Sequence, residues 1–252
     1  MTEIKRCALV IGASSAIAKA LIDKLLLDDE LVVYAISRSF PAHFEQRLLN
    51  QKRLKQIECT YSPEQIKAII ENIKATCLPC AQVFVCNGIL HDSSFLPEKK
   101  IEQFSVDIFE KVMHVNVVVP SLWLQQLITL LKHPLPCTVV VFSARVGSIS
   151  DNRAGGWYSY RASKAALNMF VKTAAIEYAR RAKNVRLIVF HPGTTDTKLS
   201  QPFQSNVAPE KLFKPEFVAT QLLSLIKPFA LENYASDQQA CFIDWQGKTI
   251  DW

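Results

Sequence analysis

Seven short, β-rich runs recur along the chain, and segments with helical periodicity separate them. The runs are Cys7–Ile11, Leu31–Ile36, Lys55–Cys59, Gln82–Cys86, Cys137–Phe142, Val185–Phe190 and Cys241–Ile243. Most are continuously apolar, which is typical of strands buried on both faces of a parallel sheet. The alternation predicts an α/β fold with a doubly wound parallel sheet and helices on both faces.

The 252 residues contain no internal repeat, low-complexity tract or Pro/Gly/Ser-rich linker. We therefore predict a single domain over residues 1–252. The net charge of +6 is scattered, and the densest basic run, Gln51–Lys55, is short. A solvated helix face or loop explains this run better than a nucleic-acid patch, so no nucleic-acid partner is predicted.

The cysteines and the apolar segments indicate the compartment. Seven cysteines, most of them within apolar runs, are typical of reduced thiols in a cytoplasmic protein. Cys77 and Cys80 have CxxC spacing without a second pair, so no metal site is predicted. Residues Met1–Arg6 lack signal-peptide features, and Val115–Leu131 is interrupted by polar residues and a proline, which indicates a buried helix and no membrane association.

Glycines mark one edge of the predicted sheet. Gly12, Gly88 and Gly193 follow the first, fourth and sixth strands, and Gly147 lies shortly after the fifth. Ligands of open α/β sheets bind outside the carboxyl ends of the strands, where glycine permits close backbone approach. Tight turns alone would also explain each glycine, but their common edge favours a bound ligand.

The turn after the first strand has the features of a phosphate site. Gly12, Ser14 and Ser15 precede a helix whose exposed amides suit a pyrophosphate. The match is partial, because alanines occupy the second and third glycine positions of a dinucleotide fingerprint. Arg38 follows the second strand, where a cation suits the 2′-phosphate of NADP and an acidic residue would suit NAD. NADP(H) is therefore favoured over NAD(H), although a surface arginine is the alternative.

Tyr160 and Lys164 are four residues apart in a segment predicted to be helical, so both project from one face. A lysine ammonium beside a phenol stabilises the phenolate, and we expect it to lower the pKa of the tyrosine toward neutrality. Such a tyrosine is a usable general acid or base. The pair follows a strand that ends near Ser143, with Asn116 on the preceding helix.

Together these residues resemble the classical short-chain dehydrogenases/reductases over nearly the full chain, and most closely their C-factor and carbonyl-reductase-like branch. The matching segments are Gly12–Ala18, Cys86–Gly88, Val115–Val117, Phe142–Ala144, Tyr160–Lys164, Pro192–Gly193 with Thr195 and Thr197, and the ending Phe242–Gly247. The resemblance implies a Rossmann-type single domain that transfers hydride between NADP(H) and a carbonyl or alcohol substrate.

The resemblance assigns roles residue by residue. Tyr160 is implied to be the proton donor, Lys164 to bind the nicotinamide ribose and Asn116 to hold a water in a proton relay. The family serine that polarises the carbonyl falls at Ala144. Ser143 is our prediction for its replacement, which needs a twist or bulge at the strand end, and Ser148 is the substitute.

The resemblance also implies a cofactor site, a lid and partners. The predicted cofactor-binding residues are Gly12, Ser14, Ser15, Ile17, Arg38, Thr60, Asn87, Gly88, Tyr160, Lys164, Pro192, Gly193, Thr195 and Thr197. Thr194–Leu212 matches the substrate lid of the family. A homodimer or homotetramer is implied, with Trp123, Phe170 and Tyr178 as interface or core residues. Arg145 and Arg153 suggest either an anionic substrate or solvated loops.

A second function remains open, because alanines replace both fingerprint glycines and the family serine. The chain would then be a catalytically weak dinucleotide-binding signalling or sensor protein. The intact Tyr160, Lys164 and Asn116 favour the oxidoreductase.

Overall fold

The computed structural model describes residues 5–40, 52–227 and 240–252. Its main strands are β1 (Arg6–Ile11), β2 (Leu31–Ser37), β3 (Leu54–Glu58), β4 (Cys80–Val85), β5 (Cys137–Phe142) and β6 (Val185–His191), followed by a small pair, β7 (Thr194–Thr195) and β8 (Leu212–Phe213), and finally β9 (Cys241–Asp244). The seven main strands form one sheet in the order β3-β2-β1-β4-β5-β6-β9, with every neighbouring pair parallel. The predicted doubly wound Rossmann-type sheet is confirmed.

Within the described residues, six α-helices connect the strands: α1 (Ala16–Leu25), α2 (Pro63–Lys74), α3 (Val106–Met113), α4 (Val119–Leu131), α5 (Tyr158–Arg181) and α6 (Pro215–Ile226). Two of them start at a local cap. The Ser15 side chain accepts a hydrogen bond from Ala18 N, and Ser62 accepts one from Gln65 N with a proline at the first helical position. A π-helical turn, His114–Val118, joins α3 to α4.

Alternate strand residues divide the core into two layers. Leu9 and its alternates pack with α2, α4 and α5, whereas Val10 and its alternates pack with α1 and α6. This is the period-2 alternation of a strand, with both faces covered by helices. Because each layer is apolar, the strands read as continuous apolar runs in the sequence.

Two of the three proposed interface aromatics belong to the core. Trp123 has no exposed surface and Tyr178 is 3% exposed, with its hydroxyl donating to Leu124 O at 2.5 Å. Phe170 is 39% exposed. Of the two alternatives left open for these aromatics, interface or core, the structure favours the core at Trp123 and Tyr178. At Trp123 the reason is that α4 is apolar around most of its circumference and packs against the sheet on one side and α5 on the other.

The helical stretch Val106–Leu131 is long and apolar enough to cross a membrane, judged by length and composition alone. Half of its most apolar window is buried inside the fold. A helix that is apolar on most sides and packed on its neighbours is a core helix, as predicted for Val115–Leu131.

The two edges of the sheet are covered differently. β3 is short, and Lys55, Gln56 and Glu58 on it are exposed. The basic run Gln51–Lys55 leads into β3. Its first residue, Gln51, lies outside the described residues, and Arg53 donates to Leu26 O at 3.0 Å. At the other edge, the chain folds back after β9, so that Ile250 N donates to Phe242 O at 2.8 Å.

All seven cysteines are free thiols. Cys7, Cys59, Cys80 and Cys137 are buried, whereas Cys77 is exposed.

Replacing Trp123 by Ala should lower the free energy of unfolding by about 3–5 kcal/mol, because it removes a fully buried aromatic side chain. Urea denaturation measures this change. The control is Leu27→Ala after α1, whose side chain is 77% exposed and for which we expect a change below about 1 kcal/mol. Equal effects of the two substitutions would contradict the placement of Trp123 in the core.

Candidate active site

The carboxyl ends of β1, β2 and β4 border a groove of about 170 Å³. Its lining contains seven of the fourteen residues predicted to bind a dinucleotide: Gly12, Ser14, Ser15, Arg38, Thr60, Asn87 and Gly88. The other lining residues are Ser37, Tyr61, Cys86, His114, Val115 and Val119. The fold therefore brings together residues from five separate segments of the chain.

The glycine turn brings β1 close to the loop after β4. Gly12 has φ +78°, and an added Cβ would lie 3.1 Å from Asn87 N. Next to it, Ser37 Oγ donates to Ser14 Oγ at 2.9 Å. The N-terminus of α1 therefore lies at the groove, next to Gly12, where backbone amides attract an anion.

Three side chains at the groove differ in how far their hydrogen bonds are satisfied. Asn87 Oδ1 is buried and has no partner within the described parts of the chain. Arg38 is exposed at the mouth. Thr60 Oγ1 instead donates to Gln65 Oε1 at 2.8 Å. The glycine cradle and the cation at the end of β2 fit a dinucleotide phosphate. The unpartnered Asn87 Oδ1 is an acceptor, which fits a donor such as a ribose hydroxyl and not a phosphate oxygen.

A second cavity, of about 240 Å³, lies at the carboxyl ends of β5 and β6. It contains the remaining predicted cofactor residues, Ile17, Pro192, Gly193, Thr195 and Thr197, as well as Tyr160 and Ser143. Gly193 has φ +73°, and an added Cβ would lie 2.6 Å from the ring of Phe213. Only glycine suits this turn.

Helix α5 brings Tyr160 and Lys164 to this site. Tyr160 is 7% exposed and lines the cavity, and Lys164 Nζ lies 5.7 Å from its ring centroid. Nζ donates to Phe142 O at 3.1 Å. A Cβ added to Gly88 would lie 3.5 Å from the same Nζ. Lys164 therefore lies between the cavity and the groove.

Burial determines the titration of both side chains. It lowers the pKa of Lys164 to about 8 and raises the pKa of Tyr160 above its ordinary value. The predicted lowering of the Tyr160 pKa by Lys164 is therefore not observed. The loss of hydration around the phenol outweighs an ammonium group that is bonded to a backbone carbonyl.

Asn116 lies in the π-helical turn and is fully buried. Its Nδ2 donates to Ile89 O and to Ser163 Oγ, both at 2.9 Å, and its Oδ1 accepts from Ile89 N at 2.7 Å. Ser163 Oγ donates in turn to Tyr160 O at 2.8 Å. In this structure Asn116 ties the loop after β4 to α5, and a water-holding role stays a prediction. The π-turn had no signal in the sequence.

Ser143 lines the second cavity and is also hydrogen-bonded within the fold, so its role toward a substrate stays a prediction. Ser143 N continues the ladder by donating to Phe190 O, and Ser143 Oγ donates to Asn168 Oδ1 at 2.6 Å. The strand end therefore does not turn the Ser143 hydroxyl proton toward a ligand. Ala144 lines the cavity with a methyl group. Ser148 is buried away from it, and its Oγ accepts from Asp151 N.

Sequence reasoning missed Glu98, a buried carboxylate that holds the start of α5. Ser159 N and Ser159 Oγ both donate to the Glu98 carboxylate, the former at 3.2 Å. Trp157 N donates to Glu98 O at 2.5 Å, and Trp157 has the left-handed φ of +55°. Since α5 lacks a cap from its own N-cap side chain, this distant carboxylate takes that function. No local motif reveals a cap supplied from so far along the chain.

Charges around the second cavity are compensated. Arg145 is paired with Asp244 at 3.2 Å and with Asp151 at 3.5 Å. Burial lowers the pKa of His191 to about 4, so its ring is neutral near pH 7. His191 Nδ1 is buried and has no partner in the described residues.

Comparisons with known proteins agree with this geometry. Residues 6–208 match the family model described as short chain dehydrogenase. Benzil reductase ((S)-benzoin forming) of Bacillus cereus is 24% identical, covering 88% of this chain and 94% of that protein. The C-signal protein of Myxococcus xanthus is 29% identical over 44% of this chain and 58% of its own. The structure of NADPH-bound carbonyl reductase from chicken fatty liver superposes with a TM-score of 0.80 at 22% identity, covering 100% of this chain and 96% of that one, and shows the shared fold.

The Lys164 ammonium should titrate near pH 8, below which it is charged and above which it is neutral. NMR of isotope-labelled lysine side chains measures the midpoint, and loss of the signal in Lys164→Met assigns it. The reference is the midpoint of about 10.4 for a lysine side chain in a model peptide. A Lys164 midpoint equal to that reference would refute the effect of burial.

Proposed function

The chain belongs to the short-chain dehydrogenase family, and on that premise we propose that it is an NADP(H)-dependent oxidoreductase that interconverts a ketone or aldehyde with an alcohol. The observation that carries the proposal is the position of Tyr160 in the second cavity, one helical turn from Lys164 and beside the dinucleotide-like groove. The family relationship supports the reaction class, and the residue roles are our proposal.

A bound nicotinamide cofactor supplies the hydride in reduction and accepts it in oxidation. Tyr160 donates its phenolic proton to the substrate oxygen during reduction and takes it back during oxidation. Because burial raises the pKa of Tyr160, the phenol is protonated near pH 7 and ready to act as the acid. Lys164 binds the cofactor ribose between the groove and the cavity. Asn116 maintains the proton relay by fixing the loop at Ile89 against α5.

The cofactor preference is proposed from Arg38. Its guanidinium lies at the mouth of the groove next to the glycine turn, where it can pair with a 2′-phosphate. The NADPH-bound carbonyl reductase that shares this fold supports the same preference.

The proposed assembly is a homodimer or homotetramer. Three apolar side chains on α5 are exposed: Met169 by 64%, Phe170 by 39% and Ile176 by 44%. Large apolar side chains at this density on one helix support contact with a second copy.

A second candidate is a dinucleotide-binding sensor with feeble turnover. Ala144 favours it, because its methyl group cannot donate a hydrogen bond to a substrate carbonyl. The Ser143 hydroxyl next to it does not replace this donor, since it donates to Asn168 Oδ1. Such a protein would bind NADPH and reduce no ketone or aldehyde in a broad panel.

Replacing Tyr160 by Phe should reduce the NADPH-dependent reduction of ketones by about 10²- to 10⁴-fold, because the proton donor is lost. The NADPH affinity, followed by nicotinamide fluorescence, should stay within about threefold. Tyr158→Phe, in the same turn of α5, is the matched control. Full activity of the Tyr160 variant would eliminate the mechanism, and a wild-type protein that binds NADPH without any turnover would favour the sensor.

Replacing Arg38 by Ala should weaken NADPH binding by about 10- to 100-fold and leave NADH binding unchanged, because one charge-assisted hydrogen bond to the 2′-phosphate is removed. Parallel fluorescence titrations with both cofactors measure the two affinities. Lys67→Ala on α2 removes the same charge away from the groove. Equal weakening by both substitutions would argue for a general charge effect.

A further inference from the structure

The residues that line the second cavity include two chemically different sets. The run Pro192–Thr197 contributes backbone and hydroxyl groups. The other set is apolar: Leu90, Val146, Trp157, Leu199, Phe203 and Val207. The apolar set adjoins the reacting group, because the rings of Trp157 and Tyr160 lie 6.2 Å apart at an interplanar angle of 78°.

Trp157 and Phe203 form an aromatic corner in this apolar set. Their ring centroids are 4.9 Å apart and their planes are inclined at 60°. Phe203 also contacts the ring of His91 at 5.6 Å, and His91 Nε2 lies 3.1 Å from Leu199 O. Trp157 is fixed from the other side by its backbone bond to Glu98. Both rings are therefore held in position before any ligand enters, which reduces the entropy lost on binding.

The cavity offers no free charge to a ligand. Arg145 is occupied by Asp151 and Asp244, and the ring of His191 is neutral near pH 7. Arg153, the other arginine suggested for an anionic substrate, is exposed and is not among the lining residues. Desolvating a carboxylate or phosphate here would not be compensated by a cation.

We propose that the second cavity selects a neutral ketone that carries an aromatic ring next to the reacting carbonyl, and that Trp157 and Phe203 are the residues that recognise this ring. The inference rests on the proposed function, because it assigns the substrate class of the same site. The cavity of about 240 Å³ is shared with the predicted cofactor residues of the run Pro192–Thr197, so the substrate ring is placed at the apolar set around Trp157 and Phe203. Tilted and edge-to-face ring contacts favour an aromatic over a saturated ring of the same size by about 2- to 12-fold per ring pair.

The test compares phenyl methyl ketone with cyclohexyl methyl ketone. For each protein the ratio of kcat/KM values for the two ketones is measured with NADPH, and each variant is compared with wild type, so that the intrinsic reactivities of the ketones cancel. We expect the ratio to fall on the order of tenfold in Phe203→Leu and in Trp157→Leu. Phe203→Tyr, which keeps the ring, should retain it, as should the control Phe104→Leu, whose side chain is 43% exposed and contacts Phe109.

A ratio that stays within about twofold of wild type in both leucine variants would overturn the aromatic recognition while leaving the oxidoreductase intact. If the wild type reduces other ketones or aldehydes of a broad panel but neither of these two, the inference is overturned and the proposed function stands. If it reduces no member of the panel, the proposed function fails, and binding decides the inference separately. The quench of Trp157 fluorescence then gives the Kd of 1-phenylethanol and of 1-cyclohexylethanol, with Trp157→Leu assigning the signal. Tighter binding of the aromatic alcohol in wild type, lost in Phe203→Leu, supports the inference, and equal binding refutes it.

Discussion

The close approach of α5 to the loop after β5 determines the geometry of the site. A Cβ on Gly147 would lie 2.7 Å from Lys164 Cβ and 2.8 Å from its backbone carbonyl carbon. Because glycine leaves this space free, the helix reaches the strand end, Lys164 Nζ reaches Phe142 O and Asn168 reaches both Ser143 and Gly147 O. The positions of Tyr160 and of the cavity wall follow from this contact.

A polar network inside the apolar layer complements that contact. Asn116, Ser163 and the backbone of Ile89 form one connected set, and Glu98 with Ser159 forms another. Each set joins a loop from the β4 side of the sheet to α5. Because a buried polar group without a partner is destabilising, these bonds define one arrangement of loop and helix, where apolar packing alone would tolerate several.

The sequence was most informative where one physical pattern dominates. Strands such as Cys137–Phe142 are apolar because both faces are covered, and their bounds followed directly from that run. The burial of Trp123 was left open, because α4 is apolar on most sides and only a narrow polar stripe with the exposed Gln125 and Thr129 marks its outer face. Within the site, Gly12, Asn87, Tyr160 and Lys164 were recognisable from motifs, and the structure gathers them. The cap by Glu98, the direction of the Tyr160 pKa and the engagement of Ser143 by Asn168 depend on tertiary burial, which no local spacing encodes.

The two edges of the sheet also limit how copies of the chain can associate. At the β9 edge, the chain folds back so that Thr249 pairs antiparallel with Ile243. At the other edge, β3 is five residues long and exposes charged side chains. Neither edge is the long, flat, apolar strand that templates pairing with another molecule. The sheet is therefore protected against growing from chain to chain into fibrous aggregates, and self-association is left to the helix surfaces.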